Sequence, residues 1–134
     1  MRKIGRLWIL LLLAIGLLAG CTNADEAGEM AVYQSILPEE ALQRLESEDQ
    51  IILLDVRTEA EHAEARIPGS MLIPLQVLAD EAPQQLPDQD VPLLVYCRSG
   101  RRSLEAVEIL LELGYTQVYD LGGMIDWPYE VESD

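Results

Sequence analysis

Apolar and polar residues are grouped in blocks along most of this chain. Two blocks are continuous apolar runs, Ile51 to Leu54 and Leu93 to Tyr96. Each run has the length of a strand and leads directly into a residue of a different character, Asp55 in one case and Cys97 in the other. Such runs are typical of parallel strands that are covered on both faces. They predict two central strands of a buried sheet.

Shorter patterns predict further elements around these two strands. Helices are predicted from Pro38, near Glu59 to Glu64, from Leu75, and after Cys97, where Leu104, Val107, Leu110 and Leu111 recur at helical spacing before Gly114. Short strands are predicted at Ala31 to Ile36, Met71 to Ile73 and Gln117 to Tyr119, and a last helical turn at Gly122 to Trp127. This alternation predicts an α/β domain with a mostly parallel sheet.

The N-terminal segment has the pattern of a targeting signal. Three basic residues precede an apolar run from Leu7 to Leu18, which is 12 residues long. A helix needs about 20 apolar residues to cross a bilayer, so the run is too short to span one. The stretch from Leu18 to Cys21 resembles the lipobox of bacterial lipoproteins, in which the cysteine is lipidated and becomes the first mature residue. An ordinary secretory signal with a fortuitous cysteine is the alternative.

This resemblance divides the chain into three parts. We expect residues 1–20 to be a removed signal peptide, residues 21–36 to be a lipidated Cys21 and an acidic tether, and residues 37–134 to form one domain. The protein would then be attached to a membrane of the cell envelope, on its extracytoplasmic side, through the lipid alone.

Charge and cysteine content restrict the chemistry of residues 21–134. This part contains all 24 acidic residues but only six of the nine basic ones, so its formal charge is −18 and nucleic acid is not expected as a partner. If Cys21 carries lipid, Cys97 is the only remaining thiol, and no internal disulfide can form. Cys97 is then a buried apolar residue, an intermolecular partner or a reactive thiol.

The neighbours of Cys97 favour a reactive thiol. The cysteine lies where a buried strand passes into a helix, which is where open α/β sheets place ligand sites. Arg98, Arg101 and Arg102 follow it closely, and the N-terminus of the next helix adds N–H donors. We expect these charges and donors to lower the pKa of the thiol. Gly100 suits a tight loop around an anion.

Several segments in the same order resemble the rhodanese superfamily. The loop from Cys97 to Arg102 is similar to the family's six-residue active loop, commonly Cys-Arg-x-Gly-x-Arg. Further similar segments are Leu53 to Arg57, Glu59 to His62, Ile67 to Ser70, Leu113 to Tyr115 and Leu121 to Trp127. The chain departs from the family where Ala65 and Arg66 replace Gly-His and where His62 replaces an aromatic residue.

The resemblance implies an open, mostly parallel sheet of about five strands with helices on both faces. It implies a sulfurtransferase without a cofactor or metal, in which Cys97 takes sulfane sulfur from a small anionic donor such as thiosulfate. The persulfide then passes its sulfur to cyanide or a thiol, or to a protein partner. The backbone amides from Arg98 to Ser103, including Ser99 and Gly100, would surround the outer sulfur, and the three arginines would neutralise the donor.

Other residues and functions remain as alternatives. Asp55 and Arg57 are expected to form a structural network near the site, and His62 is expected on a solvated acidic segment without a catalytic or metal role. A phosphatase of the Cys-x₅-Arg type is disfavoured, because Ser103 stands where its arginine is required. A tethered module that binds anions or carries persulfide without turnover is the non-enzymatic alternative.

Overall fold

The computed structural model of the chain describes residues 33–134. The predicted signal peptide, Cys21 and residues 22–32 of the predicted tether lie outside the described residues, so these predictions stay untested. Among residues 33–134, no helix is long and apolar enough to cross a membrane.

Five strands form a single sheet in the described part of the chain, and all neighbouring strands in it run parallel. Their order across the sheet is β1-β5-β4-β2-β3, so β4 lies at the centre. The strands are β1 (Gln34–Ser35), β2 (Ile52–Asp55), β3 (Met71–Leu72), β4 (Leu93–Cys97) and β5 (Val118–Gly123).

Helices cover both faces of this sheet. They are α1 (Pro38–Ser47), α2 (Glu59–Glu64), α3 (Leu78–Gln85) and α4 (Arg101–Glu112), with short 3₁₀ turns at Leu75–Val77 and Met124–Asp126. The apolar residues of α3 and α4 belong to one core cluster, whereas those of α1 belong to a second cluster that also includes Trp127. The second face is therefore covered by one long helix and the C-terminal segment.

The central strand shows why the predicted apolar run is continuous. Leu93, Val95 and Cys97 contribute to the first core cluster, while Leu94 and Tyr96 contribute to the second. All five residues are buried, because alternate side chains enter cores on opposite faces. This alternation places the thiol of Cys97 at the C-terminal end of β4, on the face that carries α4.

The predicted α/β class, the mostly parallel five-stranded sheet and the helices on both faces are confirmed. The prediction for the last strand and turn was wrong in its boundaries, because β5 continues to Gly123 and the helical turn begins only at Met124. The reason is an irregularity in the pairing. Val95 pairs with Asp120 but Tyr96 pairs with Gly122, which leaves Leu121 as an extra residue and lets β5 continue beside Cys97.

Candidate active site

A short loop joins β4 to α4 and surrounds the sulfur of Cys97. The side chain of Cys97 is buried, and the backbone N–H of Gly100 lies 3.0 Å from its Sγ atom. Gly100 has φ +101°, a left-handed conformation that returns the chain towards the sulfur just before α4 begins. The hydroxyl of Ser103 donates to the carbonyl of Gly100 at 3.0 Å and closes the turn. The loop therefore directs backbone donors at the sulfur.

The end of β5 supports this loop from behind. A Cβ atom on Gly123 would lie 2.6 Å from the carbonyl oxygen of Arg98 and 2.7 Å from the Cα of Ser99. The backbone N–H of Ile125 also donates to the carbonyl of Arg98 at 3.1 Å. The loop thus packs on the bare backbone of Gly123, at a distance that only glycine allows.

Backbone donors determine the acidity of Cys97. Burial by itself raises the pKa of this thiol, but hydrogen bonds from the backbone of Ser103, Gly100 and Ser99 and from the side chain of Ser103 outweigh it and hold the pKa below its usual value of 9.0. The Ser103 hydroxyl has one proton, which it donates to Gly100 in this structure. We therefore regard the backbone N–H groups as the constant donors to the thiolate.

The three arginines of the loop have different environments. The guanidinium of Arg102 forms two hydrogen bonds with the carboxylate of Glu61, at 2.9 and 2.8 Å. This ion pair holds the pKa of Glu61 at about 2. Arg98 and Arg101 are exposed and form no salt bridge with any residue in 33–134. Arg102 thus has an ion-pair partner that the sequence did not predict, and a role of the three arginines towards a donor stays a prediction.

A polar network behind the loop connects β2 to α2. The buried carboxylate of Asp55 accepts hydrogen bonds from the backbone and guanidinium of Arg57, the shortest at 2.7 Å, and Arg57 also donates to the carbonyl of Ala65. The Nδ1 atom of His62 lies 2.9 Å from the same carboxylate. His62 is thus not on a solvated segment as expected, since α2 turns it inward to Asp55. The network fixes α2, which has no buried residue of its own.

A cavity of about 300 Å³ lies beside the loop. Arg57, Glu61 and Glu64 form one part of its lining, and Arg98, Met124 and Ile125 form another. It combines the guanidinium of Arg98, which forms no salt bridge within residues 33–134, with the carboxylates of Glu61 and Glu64 and an apolar edge. A small anion or a short apolar thiol fits a space of this size and composition.

Three contacts at the site have no counterpart among the sequence predictions. The pairs Glu61–Arg102 and Asp55–His62, and the packing of Gly123 on Ser99, all join segments that are separate along the chain. Only Gly123 has a local signal, because paired glycines beside a strand often mark a close approach of another backbone.

The chain is similar to the rhodanese-like domain family and to individual sulfurtransferases. The family model of the rhodanese-like domain matches residues 37–129. A sulfurtransferase from Allochromatium vinosum is 38% identical over 86 residues, which is 63% of this chain and 78% of that protein. The thiosulfate sulfurtransferase PspE from Escherichia coli is 37% identical over 73 residues, or 54% of this chain and 70% of that protein.

A solved structure gives the same result for the fold. The structure described as rhodanese with anions from E. coli is 32% identical to this chain and superimposes with a TM-score of 0.58. The superposition covers 62% of this chain and 98% of that one.

Proposed function

This chain belongs to the rhodanese-like domain family and is related to sulfurtransferases, and from that premise we propose that it transfers sulfane sulfur through a persulfide on Cys97. Thiosulfate is the proposed donor, as the name of the similar E. coli protein suggests. Cyanide or a thiol is the proposed acceptor. The family prediction made from the loop motif is confirmed, whereas the donor, the acceptor and the persulfide are proposals.

In the first step, the thiolate of Cys97 attacks the outer sulfur of thiosulfate. A new S–S bond forms on Cys97 as the S–S bond of thiosulfate breaks, and sulfite leaves with the electron pair. The products are a persulfide anion on the protein and sulfite, so the total charge is unchanged. This is nucleophilic catalysis, in which one transfer is divided into two easier ones.

In the second step, the acceptor attacks the terminal sulfur of the persulfide. With cyanide, a C–S bond forms, thiocyanate leaves, and the electron pair of the broken S–S bond returns to Cys97 as thiolate. With a thiol acceptor, the acceptor leaves as a persulfide and its proton passes to Cys97. Neither route requires a cofactor or an external oxidant.

The observation that carries this proposal is the set of backbone donors around a buried sulfur. The N–H of Gly100 at 3.0 Å and the donors from Ser99 and Ser103 lower the pKa of Cys97 despite its burial. Such donors stabilise an anionic sulfur whether it belongs to the thiolate or to the persulfide. Fixed backbone dipoles need no reorganisation when the charge moves outward by one atom.

Intact-mass measurement of the purified chain tests the proposal. Thiosulfate should add the mass of one sulfur atom, and cyanide should remove it while thiocyanate appears. Because the full chain also contains Cys21, the matched controls are Cys97→Ser and Cys21→Ser. The gain should persist in Cys21→Ser and disappear in Cys97→Ser.

Other outcomes would support a different function for this chain. A stable gain of sulfur that cyanide and thiols remove only stoichiometrically, without turnover, would indicate a persulfide-carrying module instead of an enzyme. Hydrolysis of aryl phosphates that depends on Cys97 would favour the phosphatase alternative. Absence of any sulfur gain on Cys97 would refute the sulfurtransferase mechanism for this chain.

We also propose that the protein is a lipoprotein of the cell envelope, anchored through Cys21. The support comes from the sequence alone, namely the basic N-terminus, the 12-residue apolar run and the lipobox-like Leu18-Ala19-Gly20-Cys21. Two acyl chains on one cysteine give stable attachment, whereas a single chain gives only reversible binding. The domain would then act outside the cytoplasm.

A further inference from the structure

A second cavity, of about 230 Å³, lies on the sheet face that is covered by α1. It is separate from the cavity beside the loop, since the two share no lining residue. Its apolar floor consists of Leu42 and Leu45 from α1 together with Ile67 and Pro68. The space arises because a single long helix and the C-terminal segment do not fill this face completely.

Two aromatic side chains form one side of this cavity. Trp127 and Tyr129 both line it, and their rings meet edge to face at 78° with centroids 5.0 Å apart. The indole Nε1–H of Trp127 donates to the carbonyl of Glu130 at 3.2 Å, which fixes the orientation of the ring. The faces of such rings attract cations through the negative part of their quadrupole, and tryptophan does so most strongly.

Two carboxylates complete the lining. Glu46 and Glu130 border the cavity, and neither forms a salt bridge within residues 33–134. Arg44, on the same helix as Glu46, is paired with Glu48, and Arg66 is paired with Glu132 and Asp134, close to Glu130 in the C-terminal segment. The cavity therefore combines an apolar floor, aromatic rings and two carboxylates that have no cationic partner among the described residues.

We infer that this cavity binds an organic ammonium ion that has an apolar stem or methyl groups. Its volume equals that of about eight water molecules, which suits a trimethylammonium group or a short alkylammonium. The chain's own residues 22–32 are unsuitable occupants, because they contain Asp25, Glu26 and Glu29 and no basic residue. A second copy is disfavoured by the charge of −18 on residues 21–134.

The same ammonium chemistry occurs in free small molecules and in lysine side chains of proteins. Three compounds separate these sources and test the need for charge. Choline represents a free small molecule, N-acetyl-lysinamide represents a lysine side chain, and 3,3-dimethyl-1-butanol is the neutral isostere of choline. Binding is measured by fluorescence at constant ionic strength, using the full chain with Trp8→Phe, which leaves Trp127 as the reporter. We expect saturable choline binding, at least about fivefold tighter than the neutral isostere.

Matched variants assign the effect to this cavity. Glu46→Gln with Glu130→Gln should weaken choline binding roughly five- to tenfold. Glu39→Gln with Glu40→Gln, which removes the same charge from exposed positions of α1 outside the cavity, should leave binding unchanged. Tighter binding of N-acetyl-lysinamide than of choline would assign the site to a lysine side chain.

Equal binding of choline and its neutral isostere would overturn the inference, as would equal loss in the two double variants. A choline titration with no change in Trp127 fluorescence, repeated with the Trp127 indole followed by NMR and again unchanged, would also overturn it. None of these results depends on sulfur transfer, so the inference and the proposed function can fail separately.

Discussion

Replacement of Gly123 by alanine should disable the loop while it leaves the fold in place. Gly123 has φ −105°, an ordinary extended conformation, so alanine meets no backbone strain there. The new Cβ would lie 2.6 to 2.9 Å from backbone atoms of Arg98 and Ser99. Ordinary contact begins at 3.4 Å, so the loop must retreat by about 0.5 to 0.8 Å. The displaced segment carries the donors that face Cys97.

The expected effect on catalysis is large. A displacement approaching 1 Å at a reacting centre can cost about 100-fold in rate, which corresponds to about 2.7 kcal/mol of transition-state stabilisation. We therefore expect kcat/KM for thiosulfate-to-cyanide transfer to fall about 100-fold in Gly123→Ala. The pKa of Cys97 should rise towards 9.0, because its backbone donors move away. The rate of alkylation by iodoacetamide as a function of pH measures this change without any sulfur chemistry.

Gly122→Ala is the matched control. Gly122 has φ +84° and nothing within 4 Å of its Cβ position, so alanine introduces strain there but no contact. That strain costs about 1–2 kcal/mol of stability, similar to the cost of about 1–3 kcal/mol for overpacking at Gly123. Urea unfolding should therefore show similar losses of stability in both variants, whereas only Gly123→Ala should lose activity about 100-fold. If both variants keep the wild-type activity and thiol pKa, the loop does not depend on this packing.

Four further predictions concern the loop, its ion pair and the anchor. Alkylation of Cys97 by neutral iodoacetamide should show a midpoint below pH 9.0 that added salt hardly changes, because backbone dipoles set it. The pKa of Glu61 is lowered to about 2 in the folded state, so its ion pair stabilises the wild type above pH 4.5 and this stability is lost as pH falls towards about 2. Glu61→Gln should lack this stability at neutral pH. Urea unfolding at several pH values measures the difference in the free energy of unfolding. Moderate salt should raise kcat/KM for thiosulfate in the wild type, because it screens the repulsion between the acidic surface and the anionic donor. Arg98→Ala and Arg101→Ala should lower kcat/KM at every salt concentration. A steady fall of the wild-type kcat/KM with added salt would mean that attraction by the loop arginines dominates. Cells supplied with labelled fatty acid should incorporate the label into the wild-type protein but not into Cys21→Ala. Label on Cys21→Ala would show that the lipid is attached at another residue.

The fold was predictable because its signals are local. Leu93 to Tyr96 is apolar throughout since alternate side chains enter two cores, and the helix after Cys97 shows its buried face at helical spacing. The boundaries at β5 were not predictable from such patterns. Leu121 is an extra residue only relative to the pairing of β5 with β4, so the sequence of β5 by itself does not reveal it.

The place of Cys97 at the junction of β4 and α4 was predictable from the sequence, but the electrostatics around it were not. The charges of Arg98, Arg101 and Arg102 are visible in the sequence, whereas the partner of Arg102 is Glu61, 41 positions away. Counting charges near Cys97 therefore gave too much weight to cations and too little to backbone N–H groups, which every sequence contains. The acidity of the thiol follows from the path of the loop, which depends on Gly100 and on the glycine at the end of β5.

Two sets of groups therefore act independently on the electrostatics of the site, the backbone donors of the loop and the exposed arginines. Backbone donors act on the sulfur at about 3 Å, where neither salt nor the protein's net charge has much influence. The exposed Arg98 and Arg101 would act on the approaching donor across solvent, in competition with the formal charge of −18 on residues 21–134. Changes of surface charge can therefore alter which donors reach the loop without changing the reactivity of Cys97. In the mechanism that we propose, the same backbone donors would therefore stabilise the persulfide on Cys97 whichever donor supplied the sulfur.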